Sequence, residues 1–385
     1  MKKRIFALVI TLSFAMLSLA ACGTKETADG NEKFYIGGIG PITGGAAVYG
    51  QHVKDAAALA VKEINDAGGI KGYMIEYRFE DDVHDPEKAV NAYNTLKDWG
   101  MQILMGTVTS NPGNAVKEET YADNMFMLTP SGSAPEVIQY DNAFQVCFSD
   151  PNQGMASAQY IANKGLATKV AAIYNSSDVY STGIYEKFAE EAKNQNFDIV
   201  SAEAFTDDSD TDFMVQLQKA KDSGAELLFL PIYYEEATLI LTQANAMDFK
   251  PIFFGCDGLD GILGVDNFDL SLAEGVMLLT PFAADASDAK TQKFVADFKA
   301  INGDIPNQFG ADAYDAIYII KAAIEKSGVT PDMSISDITD GMKEAMTQIT
   351  VDGLTGAGMT WEATGEVNKA PMAVVIEDGQ YVSAE

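Results

Sequence analysis

From residue 34 onward, short apolar runs alternate with longer segments whose apolar residues recur every three or four positions. Residues 34–39 predict a strand, and Val53, Ala57, Ala60, Val61 and Ile64 mark one face of the helix that follows. Gly68-Gly69 ends that helix. A second strand is expected over 73–79. Asp85-Pro86 then supplies an N-cap and a first-turn proline for a helix running to Gly100. Strands three and four are expected at 102–105 and 125–128, and 143–148 is a further strand-like run.

The pattern restarts after Asp150-Pro151, a second cap-plus-proline pair. Helices over 152–164, 182–194, 211–222 and 235–247 alternate with strands at 170–174, 198–202, 226–230 and 251–254. A strand at 276–279 leads to helices 288–301 and 309–326, and a last strand covers 373–376. Such βα alternation means a parallel sheet covered on both faces, and two runs of it mean an α/β protein of two similar lobes. The last strand lies far in sequence from its partners, which points to several crossings between the lobes.

The N-terminus departs from this pattern. Lys2, Lys3 and Arg4 precede an apolar run from Ile5 to Leu17 broken only by Thr11 and Ser13, and Leu19-Ala20-Ala21-Cys22 follows. A basic start, a short apolar core and small residues read as an export signal, too short for a membrane span. The Cys at the cleavage point resembles the bacterial lipobox. Residues 1–21 are therefore expected to be removed and Cys22 to carry lipid, holding the protein outside the cytoplasm on a membrane face. Residues up to 33 are polar and without periodicity, a tether.

Charge narrows the partners. The chain has 26 basic and 56 acidic residues, net −30, and three of the basic ones lie in the signal. That excludes nucleic acid and electrostatic docking on anionic lipid. The remaining length suffices for two domains with sizeable cores. Of three cysteines, Cys147 and Cys256 stay with the body of the chain, and both are expected as free thiols.

Known catalytic signatures are missing. The glycine-rich turn at 37–45 follows a strand, but from Gly38 it reads G-x-G-x-x-T with Pro41 inside it, which is not a dinucleotide fingerprint. There is no P-loop, HExxH or GxSxG. His52 falls in a helix and His84 in an acidic loop, expected to be solvated rather than a metal site. No metal, no cofactor and no enzyme activity is expected.

The strand ends are more telling. Strand three runs into Gly106-Thr107-Val108-Thr109-Ser110-Asn111 and strand four into Thr129-Pro130-Ser131-Gly132-Ser133. In open α/β sheets ligands bind beyond the carboxyl ends of strands, and hydroxyls with free N–H groups at helix starts suit a carboxylate. The second lobe ends its strands in Asp178-Val179-Tyr180, Ile232-Tyr233-Tyr234 and Cys256-Asp257-Gly258. An acid and aromatics opposite an anion hole suit a ligand carrying both a carboxylate and an ammonium.

At this point the chain resembles the branched-chain amino-acid-binding family of extracytoplasmic solute-binding proteins that serve ABC importers. The resemblance rests on GPITGGAAVYG (40–50), INDAGGIKG (64–72), DDVHDPEKAV (81–90), TPSGSAPE (129–136), DPNQG (150–154) and GMTWEATGEVNK (358–369). It implies the type I periplasmic-binding fold: two Rossmann-like lobes joined by three crossovers, near 148–151, 279–283 and 356–361. Lobe one would comprise 34–149 plus 282–357, and lobe two 150–281 plus 358–385. By the same resemblance Ser110 and Ser133, with the backbone at Ser131 and Gly132, would hold a ligand carboxylate. Asp257 would take its ammonium, where leucine-binding members have Glu. Tyr49, Tyr180, Tyr233 and Phe309 would form an aromatic wall, with Val108 and Thr109 beside the carboxylate loop. Some members join two cleft-side loops by a disulfide; the matching positions here are His84 and Thr109. The implied role is a monomeric, lipid-anchored receptor that passes an amino acid to ABC permease subunits. The side-chain preference stays open, as do a small amide, a urea-like compound or an aromatic acid as ligand, and a sensory role.

Overall fold

The computed structural model describes residues 33–384. The signal, Cys22 and nearly all of the tether lie outside the described residues. Among these, no helix is long and apolar enough to cross a membrane.

Lobe one is built on five parallel strands: β1 (Lys33–Gly40), β2 (Met74–Asp81), β3 (Ile103–Gly106), β4 (Phe126–Thr129) and β5 (Ala143–Gln145). Their spatial order is β2-β1-β3-β4-β5. β1 pairs in register with β2 on one side, from Lys33↔Met74 to Gly40↔Asp81, and with β3 on the other. Between the strands run α1 (Ala47–Asp66), α2 (Pro86–Trp99) and α3 (Ser110–Ala122). Asp85 caps α2 as its spacing predicts, accepting from Lys88 N at 2.9 Å.

Lobe two opens with α4 (Asp150–Lys164) and continues through β6 (Lys169–Asn175), α5 (Val179–Ala192), β7 (Asp198–Phe205) and α6 (Met214–Asp222). β8 (Leu227–Leu230), α7 (Tyr234–Ala246), β9 (Ile252–Gly255) and β10 (Met277–Thr280) follow. The chain then returns to lobe one with α8 (Ala289–Asn302), α9 (Gln308–Ser327) and α10 (Ile335–Met346). α9 buries Ile317, Ile320 and Ile324 in the core shared with Val53, Ala57 and Ala60 of α1. Finally β11 (Met372–Glu377) and β12 (Gln380–Ser383) complete the second sheet, in the order β12-β11-β10-β9-β8-β6-β7. β6 to β10 are parallel, while β11 runs against β10 and forms a hairpin with β12.

Three elements go beyond the sequence expectation: α3, α10 and β12. The third crossing also comes later than expected, between Lys369 and Met372. Residues 358–369 pack on the first lobe instead, with Trp361 Nε1 donating to Gln145 O at 2.8 Å and Gln145 N to Gly365 O at 3.0 Å. Glu366 of this strap reaches the lobe junction, accepting from Ser149 and from Asn152 of α4, and the apolar run of β11 is what first suits the second sheet.

Lys369 closes the strap. Its ammonium lies 2.6 Å from Asp312 Oδ1 and also donates to Val146 O and Thr355 Oγ1. Both side chains of the ion pair are buried. Cys147 and Cys256 are buried free thiols, as expected.

Candidate functional site

The strand order fixes where a site can form. In sheet one the order reverses between β1 and β3, and in sheet two between β6 and β8. At such switch points neighbouring loops diverge and leave a crevice beyond the carboxyl ends of the strands. The loop after β1 leads to Tyr49, and the loop after β3 carries Val108, Thr109 and Ser110. The loop after β6 carries Asp178 and leads to Tyr180 at the start of α5, and the loop after β8 carries Tyr233. The two crevices face each other, and the lobes touch across them: the Tyr49 hydroxyl donates to Gly258 O. Asn111 Oδ1 likewise accepts from Val179 N at 3.3 Å.

On the first lobe, hydroxyls bind the two loops into one unit. Ser131 Oγ donates to Val108 O at 2.7 Å, and Thr129 Oγ1 to Thr107 O at 2.6 Å. Gly132 N donates to Thr129 Oγ1, and a Cβ on Gly132 would stand 2.8 Å from that same oxygen. Ser110 Oγ accepts from the N–H groups of Ser133 and Ala134, each at 3.2 Å, which leaves its own proton to give. Ser133 Oγ is buried next to the Asp150 carboxyl. Pro112 and Gly113 do not break α3, because a proline in the first turn removes only an N–H that has no helical partner.

On the second lobe, Asp257 is 2% exposed. Its Oδ1 accepts from the Tyr180 hydroxyl at 2.8 Å, and that hydroxyl accepts from Gly258 N at 2.9 Å. Gly258 is required here, since a Cβ would come within 2.6 Å of both Ile232 O and the Tyr180 hydroxyl. Burial pushes the Asp257 carboxyl up to about 7, against the pull of its hydrogen bond with Tyr180.

The aromatic residues form a continuous wall. Tyr180 and Tyr233 stack with centroids 4.7 Å apart, Tyr233 meets Tyr49 edge-on at 5.7 Å, and Tyr49 meets Phe309 at 4.2 Å. His84 joins it from the first lobe. Its ring lies 5.4 Å from Tyr233, and its Nδ1 is 2.9 Å from Thr109 Oγ1. The loop expected to be solvated is thus half-buried at the cleft. The two positions that resemble a disulfide pair are joined by a hydrogen bond instead. Among the described residues no His, Cys, Asp and Glu cluster with metal-binding geometry occurs.

Asp150 and Gln153 are the site residues that sequence reasoning missed. Asp150-Pro151 reads as a cap, but Ser149 occupies the N-cap position and Asp150 is the first helical residue. Its carboxylate is fully buried, and burial pushes it well above the usual carboxylate range against the pull of the neighbouring Ser133 hydroxyl. Its backbone N–H donates to Ser133 O at 3.1 Å, so it lies where the two lobes meet. Gln153, one turn further, gives its Oε1 to Asp257 N at 3.2 Å and leaves Nε2 unpartnered. The signal was present in the sequence as an acid at a lobe crossing, with no basic residue beside it.

A family model described as periplasmic binding protein matches residues 33–380. The chain belongs to that family. It has the type I periplasmic-binding fold of solved substrate-binding proteins of branched-chain amino-acid transporters. One is the protein LivJ of Streptococcus pneumoniae in complex with isoleucine: TM-score 0.83, 26% identity, covering 92% of this chain and 99% of that one. A Leu/Ile/Val-binding protein homolog of Brucella melitensis is 28% identical over 91% of this chain and 93% of its own length. The leucine-, isoleucine-, valine-, threonine- and alanine-binding protein of Pseudomonas aeruginosa is 28% identical, with 84% of each covered.

Proposed function

We propose that this protein captures an L-amino acid, branched-chain or otherwise apolar, between its lobes and delivers it to the permease of an ABC importer. The observation that carries the reading is the pairing of unpartnered buried groups across one cleft. Ser110 Oγ on the first lobe accepts twice and keeps its proton to give, while Asp257 on the second is a buried acid with no base beside it. Leaving such groups buried and unpaired is costly, and a zwitterion relieves both sides at once. Its carboxylate takes the hydroxyls of Ser133 and Ser110 and the N–H groups at the start of α3; its ammonium takes Asp257. The apolar side chain lies against Tyr49, Tyr180, Tyr233 and Phe309. The names of the Brucella and Pseudomonas relatives support the branched-chain preference.

Ligand that touches both lobes stabilises the form in which they meet, and this form is what a permease would recognise. The protein acts as a binding monomer and not as a catalyst. It is held outside the cytoplasm by lipid on Cys22, and mass spectrometry of the native N-terminus tests that anchor: an acylated Cys22 is expected, and an unmodified terminus elsewhere overturns it. Calorimetric screening of the common amino acids, after denaturing and refolding to strip bound solute, tests the ligand. Binding is expected for leucine, isoleucine or valine. Asp257→Ala should weaken it at least ~10-fold, since breaking a buried charge pair costs about 2–5 kcal/mol. Equal binding of the amino-acid amide would move the reading to an amide receptor.

A further inference from the structure

A second groove, of about 240 Å³, opens between the lobes next to the aromatic wall. None of the residues assigned above to the amino-acid cleft lines it. Its first-lobe side comes from Val48 and His52 of α1 and from Ile305 and Asn307 in the loop before α9. Its second-lobe side comes from Asp260, Leu263 and Tyr381.

Two of these side chains are buried with an unused polar atom. Asn307 is 6% exposed; its Oδ1 caps α9 by accepting from Gly310 N at 3.0 Å, but its Nδ2 has no partner. Asp260 is 4% exposed; its Oδ2 accepts from Gln308 N at 2.7 Å, but its Oδ1 has no partner. The Tyr381 hydroxyl accepts from Gly261 N at 3.0 Å and shares its proton between Leu259 O, 3.4 Å away, and the neighbouring Asp260 carboxyl, whose charge it eases. His52 Nδ1 accepts from Asn307 N at 3.1 Å, so the neutral ring carries its proton on Nε2. The other charged residues lining the groove are Asp285 and Asp304; no Lys or Arg lines it. The groove therefore offers one acid acceptor, one amide donor, an acidic field and an apolar floor of Val48, Leu263 and Ile305.

We propose that this groove is a second binding site, for a short organic ammonium that also carries an oxygen acceptor, an amino alcohol in chemical class. The ammonium donates to Asp260 Oδ1, the ligand oxygen accepts from Asn307 Nδ2, and the alkyl body covers the apolar floor. Because Asp260 belongs to one lobe and Asn307 to the other, the occupant bridges them. By linkage it tightens binding in the amino-acid cleft by the same factor by which an occupied cleft tightens it.

Leucinol is a suitable probe, titrated calorimetrically into the full protein alone and with saturating leucine. One leucinol site is expected to persist with leucine present, at equal or higher affinity. Asp260→Asn should weaken it ~10-fold or more. Leu263→Trp, which fills the groove without touching its polar groups, should abolish it while leucine still binds. Displacement of leucinol by leucine, insensitivity to both substitutions, or equal affinity for 4-methylpentanol, which lacks the ammonium, would overturn the proposal. If leucine itself fails to bind, the proposed function fails, while the groove is still read from the share of leucinol binding that Asp260→Asn and Leu263→Trp remove, so the two failures are separately visible.

Discussion

The Tyr180 hydroxyl bridges the Asp257 carboxylate and the Gly258 N–H, at 2.8 and 2.9 Å, and holds that carboxylate with one oxygen satisfied. Removing it leaves a fully buried acid with less support for its charged form. Tyr180→Phe is expected to raise the Asp257 pKa further and to weaken amino-acid binding at pH 7 by roughly 10- to 150-fold, about 1.5–3 kcal/mol for a hydrogen bond to a charged group. At pH 9 the defect should shrink. A titration at both pH values separates this from lost stacking on Tyr233, which would cost the same at each.

Binding should be proton-linked. Burial sets the Asp257 carboxyl at about 7, and a bound ammonium favours its ionised form. Below pH 7 the ligand must displace a proton, so affinity falls as pH falls, by at most ~10-fold per unit for one proton. Asp150, raised by burial in the same cleft, adds to the slope if it too ionises. Calorimetry at pH 6 in buffers of different ionisation enthalpy should show proton release on binding; an affinity flat from pH 5 to 8 would remove Asp257 as the ammonium partner.

The unliganded protein should gain stability on mild acidification. Burial raises Asp82, Asp257 and Asp260 to about 7 and Glu236 to about 8, so the folded chain holds protons that the unfolded chain releases. Stability from these groups is lost as pH rises from about 4 to 8. His52, lowered by burial, acts in the opposite sense below about 6.5, but it is one group against four. Thermal denaturation should give a higher Tm at pH 5.5 than at pH 8, and saturating amino acid should narrow that gap.

Lys369→Met should destabilise the fold by about 3–5 kcal/mol, because it leaves Asp312 buried without its cation. Adding Asp312→Leu should recover much of the loss. Urea denaturation of the single and double variants checks both; a single variant as stable as the parent would show that the pair contributes nothing.

Periodicity and punctuation made most of the architecture readable before the structure. The βα alternation, the Asp85 cap and the hydroxyl-rich strand ends are local signals, and each resides where its chemistry predicts. α3 was hidden by Pro112 and Gly113, breakers that a first turn tolerates. β12 was signalled by Asp378-Gly379, a turn pair with positive φ at both residues that favours a hairpin. The strap over 358–369 was not readable, because its partners Gln145, Val146 and Asp312 are distant in sequence. Asp150 was hidden for a related reason: a residue that looks like a cap declares itself as a site only when the facing lobe shows nothing to neutralise it.

The interleaving of the lobes carries a consequence for the newborn chain. Sheet two gains its strands β11 and β12 only from residues 372–383, and the layer of α8 to α10 that covers sheet one arrives after β10. A chain emerging from its N-terminus has all five strands of sheet one by Gln145 but waits until after β10 for the helices that cover them. Sheet two lacks its last two strands until the final residues are free, so truncation just before Met372 should cripple the second lobe while the first keeps its five strands and α8 to α10.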